Sequence, residues 1–287
     1  MKLSKKLLTM LGVGVLAVSM LVTGCGGDKK ASSDAAKTVE GKVTAQGSTA
    51  LLPILKVAQE QFEAKNPKVT INITGGGSFT GMNQVANKAV DIGNSDVNLP
   101  KDLEGKGIVD HKVVVIPFVL ITNPDVKVAN LTQAQAIDIL SGKVKNWKEV
   151  GGEDKAITII GRSKSSGSRA TISSVILKGQ DFDAKSVVLD SNGAVKTAVA
   201  TTAGAIGYVD APYADQTVKV LEYNGVKYSE QAVIEGKYPI YSYGHMYTNG
   251  QPTGATKAFI DFVMSKDFQD ANASKTGFIA ITKMPNK

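Results

Sequence analysis

Short apolar runs alternate with amphipathic segments along most of the chain. The apolar runs have the length and the β-branched content of buried strands, and the segments between them place apolar residues on one helical face. The predicted strands are 42–45, 69–74, 90–93, 113–122, 157–160, 187–189 and 204–209. Because strands and helices alternate, the pattern predicts an α/β fold with largely parallel sheets, in which ligands bind beyond the carboxyl ends of the strands. One helix is expected to begin at Met82, after a glycine-rich turn over 75–81.

Small polar residues follow several of the predicted strands. Ser48 and Thr49 follow the first strand, Ser78 lies in the turn after the second, and Asp96 follows the third. The stretch 161–169 follows a later strand, and it contains two arginines, one lysine, four serines and two glycines but no acid. Backbone N–H groups at the start of a helix, beside hydroxyl and cationic side chains, suit a tetrahedral oxyanion. Taken alone, this stretch could instead be a serine-rich helix cap. However, polar loops follow the ends of four predicted strands, and this shared position favours an anion site.

The long apolar run 113–122 contains Pro117 and is too short to cross a bilayer as a helix. We expect this run to leave the first sheet and to cross to a second lobe. The segment 238–243 is expected to return the chain to the first lobe.

The N-terminus has the pattern of a secretory leader. Lysines precede an apolar segment that ends at 21–25, where the residues match a bacterial lipobox. Cys25 is the only cysteine of the chain, so it is the predicted lipidation site and no disulfide is expected. The alternative is a short transmembrane anchor with an unmodified cysteine. The small polar residues 26–39 would tether the lipid to the folded body.

The charge of the chain is mildly positive. Lys2, Lys5 and Lys6 of the leader contribute three charges to the formal net charge of +7. The remaining excess fits an anionic ligand or cell-wall surroundings, whereas no run of basic residues indicates nucleic-acid binding. His111 and His245 are the only histidines. Because a phosphatase or phosphotransferase usually needs a metal cluster or an activated nucleophile, the sequence favours binding over catalysis, with no cofactor and no metal.

Five motifs occur in an order that is typical of one family, at 47–50, 77–81, 93–96, 162–169 and 204–209. They resemble the phosphate-binding lipoproteins of the bacterial high-affinity phosphate ABC importers. The resemblance implies a two-lobed periplasmic-binding-protein (Venus flytrap) fold, with two mixed sheets flanked by helices and hinge crossings near 118–122 and 240–247. The expected division is a leader over 1–24, a lipidated tether over 25–39, lobe 1 over 40–120 and 243–287, and lobe 2 over 121–242.

The resemblance also implies which residues bind the anion. The implied phosphate ligands are Ser48, Thr49, Ala50, Ser78, Asp96, Arg162, Ser166, Gly167 and Ser168, with Arg169 as a further candidate. The expected partners are inorganic phosphate, the permease subunits of the importer, and the outer face of the cell membrane through lipid on Cys25. A monomer without enzymatic activity is expected.

Asp96 is the residue expected to discriminate between oxyanions. An ionised carboxylate only accepts hydrogen bonds, so it can accept the proton that phosphate retains near neutral pH and repels fully ionised sulfate. Lys164 departs from the family pattern, in which an aspartate two residues after the arginine pairs with that arginine. The alternatives are a receptor for sulfate, molybdate or a phosphonate, a secreted phosphatase, and a purely structural or adhesive lipoprotein.

Overall fold

The computed structural model describes residues 39–285 of the 287-residue chain. The predicted leader over 1–24, the predicted lipidation site Cys25 and the tether up to residue 38 lie outside the described residues. None of the helices within 39–285 is long and apolar enough to cross a membrane.

Strands and helices alternate along the described chain, as the apolar pattern predicts. The strands are β1 (Gly41–Gly47), β2 (Val69–Thr74), β3 (Ile92–Ser95), β4 (Ile108–Thr122), β5 (Asn130–Leu131), β6 (Thr158–Arg162), β7 (Val187–Leu189), β8 (Ala205–Asp210), β9 (Lys219–Val220), β10 (Glu222–Tyr223) and β11 (Tyr241–Asn249). The helices are α1 (Leu52–Lys65), α2 (Ser78–Ala86), α3 (Gln133–Leu140), α4 (Gly167–Ile172), α5 (Asn192–Thr201), α6 (Glu230–Ile234), α7 (Gly254–Met264) and α8 (Lys266–Asn272). Helix α4 continues into a π-helical turn over Ser173–Leu177.

One mixed sheet runs through the described chain in the order β2-β1-β3-β11-β4-β8-β6-β7, and β9 also pairs with β4. Strand β4 joins its two halves, because residues 108–117 pair with β11 and residues 118–122 pair with β8. We call β1, β2, β3, β11 and the first part of β4 the first half-sheet. The second part of β4 with β6, β7, β8 and β9 is the second half-sheet. The predicted α/β fold is confirmed, and the two predicted sheets are the connected halves of one sheet.

Parallel pairing within each half-sheet brings the strand ends together. Strand β1 is parallel to β2 and β3, and β6 is parallel to β7 and β8. The carboxyl ends of β1, β2 and β3 therefore share one edge of the first half-sheet, and those of β6 and β8 share one edge of the second. The loops that the sequence marks as anion-binding follow these ends.

Helix α2 begins at Ser78, before the position that the sequence pattern indicates. The prediction that 75–81 is a turn and that the helix begins at Met82 was wrong. Gly77 precedes the helix with a φ of +93°, and a Cβ at Gly81 would lie 2.7 Å from the Gly47 Cα. The two glycines therefore let the first turn of the helix pack against the end of β1, which places Ser78 at the strand edge.

Buried apolar residues hold both half-sheets against their helices. The apolar residues of β4 between 113 and 121 are at most 1% exposed, so this strand is covered on both faces. Phe62 of α1 packs its ring 5.5 Å from Phe259 and 5.4 Å from Phe262 of α7. Burial of one such side chain stabilises the fold by about 1.5–3 kcal/mol. This core fixes the positions of the loops at the strand ends.

Candidate functional site

Three polar residues of the first half-sheet form one side of the site. Ser48 follows β1, Ser78 opens α2 and Asp96 follows β3. The Ser48 hydroxyl donates a hydrogen bond to Asp96 Oδ1, and the Asp96 backbone N–H donates to Ser78 Oγ over 3.0 Å. All three residues are at most 2% exposed, so this polar cluster is shielded from solvent.

Arg162 ends β6 and is fixed at both its backbone and its side chain. Its backbone N–H donates to the Tyr208 hydroxyl over 3.1 Å, and its Nη2 donates to the Asp190 carbonyl over 3.1 Å. The residue is 1% exposed. Among the residues that the structure describes, none accepts a hydrogen bond from Arg162 Nε, so the buried guanidinium keeps an unused donor at the site.

The start of α4 lies directly against the first half-sheet. Ser166 caps this helix, because its Oγ accepts a hydrogen bond from the Arg169 N–H over 3.2 Å. A Cβ at Gly167 would overlap the Ser78 hydroxyl and would lie 3.0 Å from the Asp96 Cβ. Only glycine at this position allows α4 to approach the two residues so closely.

Hydrogen bonds between side chains join the two half-sheets at this point. Ser168 Oγ donates to Asp96 Oδ2 over 3.1 Å and accepts from Arg162 Nη1 over 3.4 Å. Arg162 Nη2 donates to Thr49 Oγ1 over 3.3 Å. The structure therefore brings together residues that the sequence marked in four separate loops. Ala50, also predicted, is fully buried just before α1.

The two other basic residues of 161–169 lie away from this cluster. Arg169 Nη1 donates to the Arg162 carbonyl over 3.0 Å, and the guanidinium stacks 4.1 Å above the Phe182 ring. Arg169 thus supports the end of β6 through these two contacts. Lys164 is exposed, so the residue that departs from the family pattern adds no buried charge.

Burial and mutual attraction act in opposite directions on the two charged residues of the site. Burial raises the pKa of Asp96, while the Ser48 hydrogen bond, the Arg162 charge and further hydrogen bonds oppose the rise. Burial lowers the pKa of Arg162, and the charge of Asp96 is the main opposing effect. Each ionised group therefore stabilises the other away from solvent. The pair presents a hydrogen-bond acceptor and a forked cationic donor side by side.

Four residues of the site were not identified from the sequence. Asn192 Nδ2 donates to Thr49 Oγ1 over 3.2 Å, and the Tyr213 hydroxyl donates to the Thr49 carbonyl over 2.8 Å. Tyr208 binds the end of β6, and Asp210 is a fully buried acid at the end of β8. These residues lie in or just after β7 and β8. The rule that ligands gather at carboxyl ends of strands, applied to these two strands, would have indicated Asn192 and Asp210.

Both histidines lie on the paired strands β4 and β11, where each contacts a neighbouring side chain. His245 Nδ1 lies 2.7 Å from Asp110 Oδ1, and His111 Nε2 lies 3.1 Å from Thr248 Oγ1. His245 also lines a cavity of about 480 Å³ that extends to Asp96. Both imidazoles are therefore engaged by polar side chains of β4 and β11.

The chain is similar to known binding proteins over nearly its whole length. A family model described as the PBP superfamily domain matches residues 32–267. The phosphate-binding protein PstS of Bacillus subtilis is 39% identical over 290 residues, which cover 99% of this chain and 96% of that protein. The chain belongs to the PstS family of the PBP superfamily. A PstS-family relative from Borreliella burgdorferi, also named phosphate-binding protein PstS, is 29% identical over 83% of this chain and 90% of its own.

A solved structure shares the fold of this PstS-family chain. A Clostridium perfringens protein, described as a phosphate ABC transporter substrate-binding protein with bound phosphate, matches with a TM-score of 0.80 at 28% identity. The match covers 84% of this chain and 100% of that chain. The predicted periplasmic-binding-protein fold and the predicted family are therefore confirmed.

Proposed function

We propose that this protein is an extracytoplasmic receptor that captures inorganic phosphate between two lobes and delivers it to an ABC permease for import. The observation that carries the proposal is the Ser168 hydroxyl, which is bonded to both Asp96 and Arg162. It places an anionic acceptor and a cationic donor in one buried site. Two PstS-family relatives are named phosphate-binding proteins, which supports the same ligand.

Inorganic phosphate suits this site because it both donates and accepts hydrogen bonds near neutral pH. Arg162 and the hydroxyls of Thr49 and Ser78 donate to its bare oxygens, and Ser168 does so when its single O–H proton turns from Asp96 to the anion. Asp96 accepts the proton that the anion retains. Fully ionised sulfate has no such proton, so the buried carboxylate would face an oxygen of like charge. The remaining proposed ligands on the same loops are Ser48, Ala50, Ser166 and Gly167.

We assign residues 40–120 and 243–287 to one lobe of the receptor and residues 121–242 to the other. The hinge lies where the pairing partner of β4 changes from β11 to β8. The Phe118 N–H donates to the Ile240 carbonyl over 2.8 Å, which links the two crossings at that point. Across the site, the Phe79 N–H donates to the Ser165 carbonyl over 3.1 Å. Contacts of this kind suit a closed state, and rotation at the hinge would separate them to admit phosphate.

The receptor is placed on the outer face of the cell membrane as a monomer, with permease subunits as its partners. Lipid on Cys25, after removal of 1–24, would supply two acyl chains, which is enough for stable anchoring. A Cys25→Ser variant is expected to leave the membrane fraction and to lose incorporation of labelled palmitate. Retention of the variant in the membrane fraction would contradict the anchor.

The proposed receptor does not turn its ligand over. Its binding chemistry uses hydrogen bonds and charge, without a nucleophile or a metal. Purified protein is expected to release no nitrophenol from p-nitrophenyl phosphate. Catalytic release would contradict the receptor and favour a secreted phosphatase.

Isothermal titration of purified, phosphate-free protein with phosphate and with sulfate tests the ligand. We expect phosphate to bind at least about 100-fold more tightly. Asp96→Asn should reduce this preference, because the amide can donate to sulfate, whereas Asp102→Asn on the exposed surface should preserve it. Tight binding of sulfate with weak binding of phosphate would overturn the proposal.

A further inference from the structure

Asp210 is the buried acid that the proposed binding chemistry leaves without a role. It is the last residue of β8, which runs parallel to β6, and β6 ends at Arg162. Asp210 and Arg162 therefore lie at the same edge of the second half-sheet. Asp210 is 0% exposed, and on its other side it is paired with the apolar Phe118 of β4.

The hydrogen bonds of the two buried aspartates differ. Within residues 39–285, no residue other than Asp210 itself donates a hydrogen bond to its carboxyl oxygens. The two oxygens of Asp96 accept from the hydroxyls of Ser48 and Ser168. A buried carboxylate without donors is very costly, whereas a neutral carboxylic acid is far less so. The donors therefore favour the ionised form at Asp96 and the neutral form at Asp210.

The charges around the site lead to the same assignment. Asp96, Asp210 and Arg162 are all at most 2% exposed. With both aspartates ionised, these three residues would carry a net negative charge before any anion entered. A phosphate dianion would then add two negative charges to a volume shielded from solvent, at a large desolvation cost. Protonation of one of the two aspartates removes one of these negative charges and lowers that cost.

We propose that Asp210 sets the charge balance of the anion site as a neutral carboxylic acid, so that phosphate binding requires its protonated form. This inference rests on the proposed function, because it adds a residue that sets the charge of the same site. Burial raises the pKa of Asp210 well above its ordinary value; the Asp96 charge adds to the rise, and a hydrogen bond from its own backbone N–H and the Arg162 charge oppose it. Within residues 39–285, Tyr213 also interacts with Asp210; burial raises the pKa of Tyr213 as well, so it stays neutral.

Infrared spectroscopy of the ligand-free protein tests the protonation state directly. With ¹³C-labelled aspartate at about pH 7, we expect the carbonyl stretch of a protonated acid in the wild type and in Asp96→Asn, and its loss in Asp210→Asn. Asp215→Asn is the matched control and should keep the band, because hydrogen bonds from Thr217 lower the pKa of this exposed residue to about 2. Absence of the band in the wild type, or its survival in Asp210→Asn, would overturn the inference.

Phosphate affinity measured below and above the pH at which the wild-type infrared band disappears tests the coupling to binding. Below that pH the wild type and Asp210→Asn should bind alike, and above it Asp210→Asn should bind at least about tenfold more tightly than the wild type. The ionisation of phosphate itself affects both proteins equally and cancels in the comparison. Equal affinities above the pH at which the band disappears would overturn the inference. If the wild type bound no phosphate at either pH, the proposed function would fail, and the infrared band would still decide the state of Asp210.

Discussion

The Ser168 hydroxyl donates a hydrogen bond to Asp96 Oδ2 over 3.1 Å. This bond joins the first turn of α4 to the loop after β3, so it connects the two half-sheets. Ser168 also accepts from Arg162 Nη1, and it thereby holds the acceptor and the cation of the site next to each other. The alignment of the two charged groups depends on a residue that has no charge of its own.

Ser168→Ala should weaken phosphate binding by about tenfold or more, because a hydrogen bond to a charged group contributes about 1.5–3 kcal/mol. Isothermal titration measures the change. Ser274→Ala is the control, since Ser274 lies on the exposed surface and should leave the affinity unchanged. An unaltered affinity in Ser168→Ala would show that the hydroxyl does not contact the anion.

Arg162→Ala should reduce phosphate affinity by at least about 100-fold, because truncating one partner of a buried charge pair costs about 2–5 kcal/mol. Arg169→Ala provides the comparison, as these two are the only arginines of the chain. The Arg169 side chain stacks on Phe182, so its removal should lower the Tm and cost less than about tenfold in affinity. A larger loss of affinity in Arg169→Ala than in Arg162→Ala would mean that the cation of the site is misassigned.

The order of strands and helices could be predicted because each buried strand is a short apolar run, as at 157–160 and 204–209. The crossing within 113–122 was also predicted, but the continuity of the sheet through β4 was not. The start of α2 was misplaced because the contact of Gly81 with Gly47 joins segments that are distant in sequence. Local patterns thus predicted the elements, while tertiary contacts decided where one helix begins.

The sequence predicted those site residues that lie in loops of unusual composition just after a strand, such as Arg162 and its neighbours. Asn192 and Asp210 also lie at strand ends. Single Asn and Asp residues are common in turns, so the sequence alone does not mark these two as site residues. The position of Arg169 depends on Phe182, a contact that no sequence spacing indicates. The Arg169 side chain therefore packs against the scaffold beside the site.

Gly167→Ala should weaken phosphate binding by about tenfold or more, because overpacking costs about 1–3 kcal/mol and the new methyl group would overlap the Ser78 hydroxyl. Small-angle scattering should show less compaction on addition of phosphate than in the wild type. Gly193→Ala is the matched control at the start of α5, where the nearest atom to a Cβ is a Tyr213 ring carbon at 3.7 Å. This variant should bind phosphate normally; equal losses in both variants would contradict a specific clash at Gly167.

Asp210→Asn should raise the Tm near pH 8 and leave it unchanged below about pH 4. The folded protein raises the pKa of Asp210 through burial, so it binds the proton more strongly than the unfolded chain does. The stability that this proton supplies is fully present below the ordinary aspartate pKa of about 3.9, and it is lost as the pH rises toward the raised value.

The amide of the variant cannot ionise, so its advantage over the wild type should grow with pH across that window. Asp215→Asn should behave in the opposite way, because hydrogen bonds from Thr217, with the charge of Lys196, lower the pKa of Asp215 to about 2 in the folded state. Its Tm should fall below the wild-type value near neutral pH, and the two should converge as the pH approaches about 2. Thermal unfolding followed by circular dichroism between these limits measures both profiles. A Tm for Asp210→Asn that stays at or below the wild-type value at every pH would show that the buried carboxyl is stabilised by its ionised form.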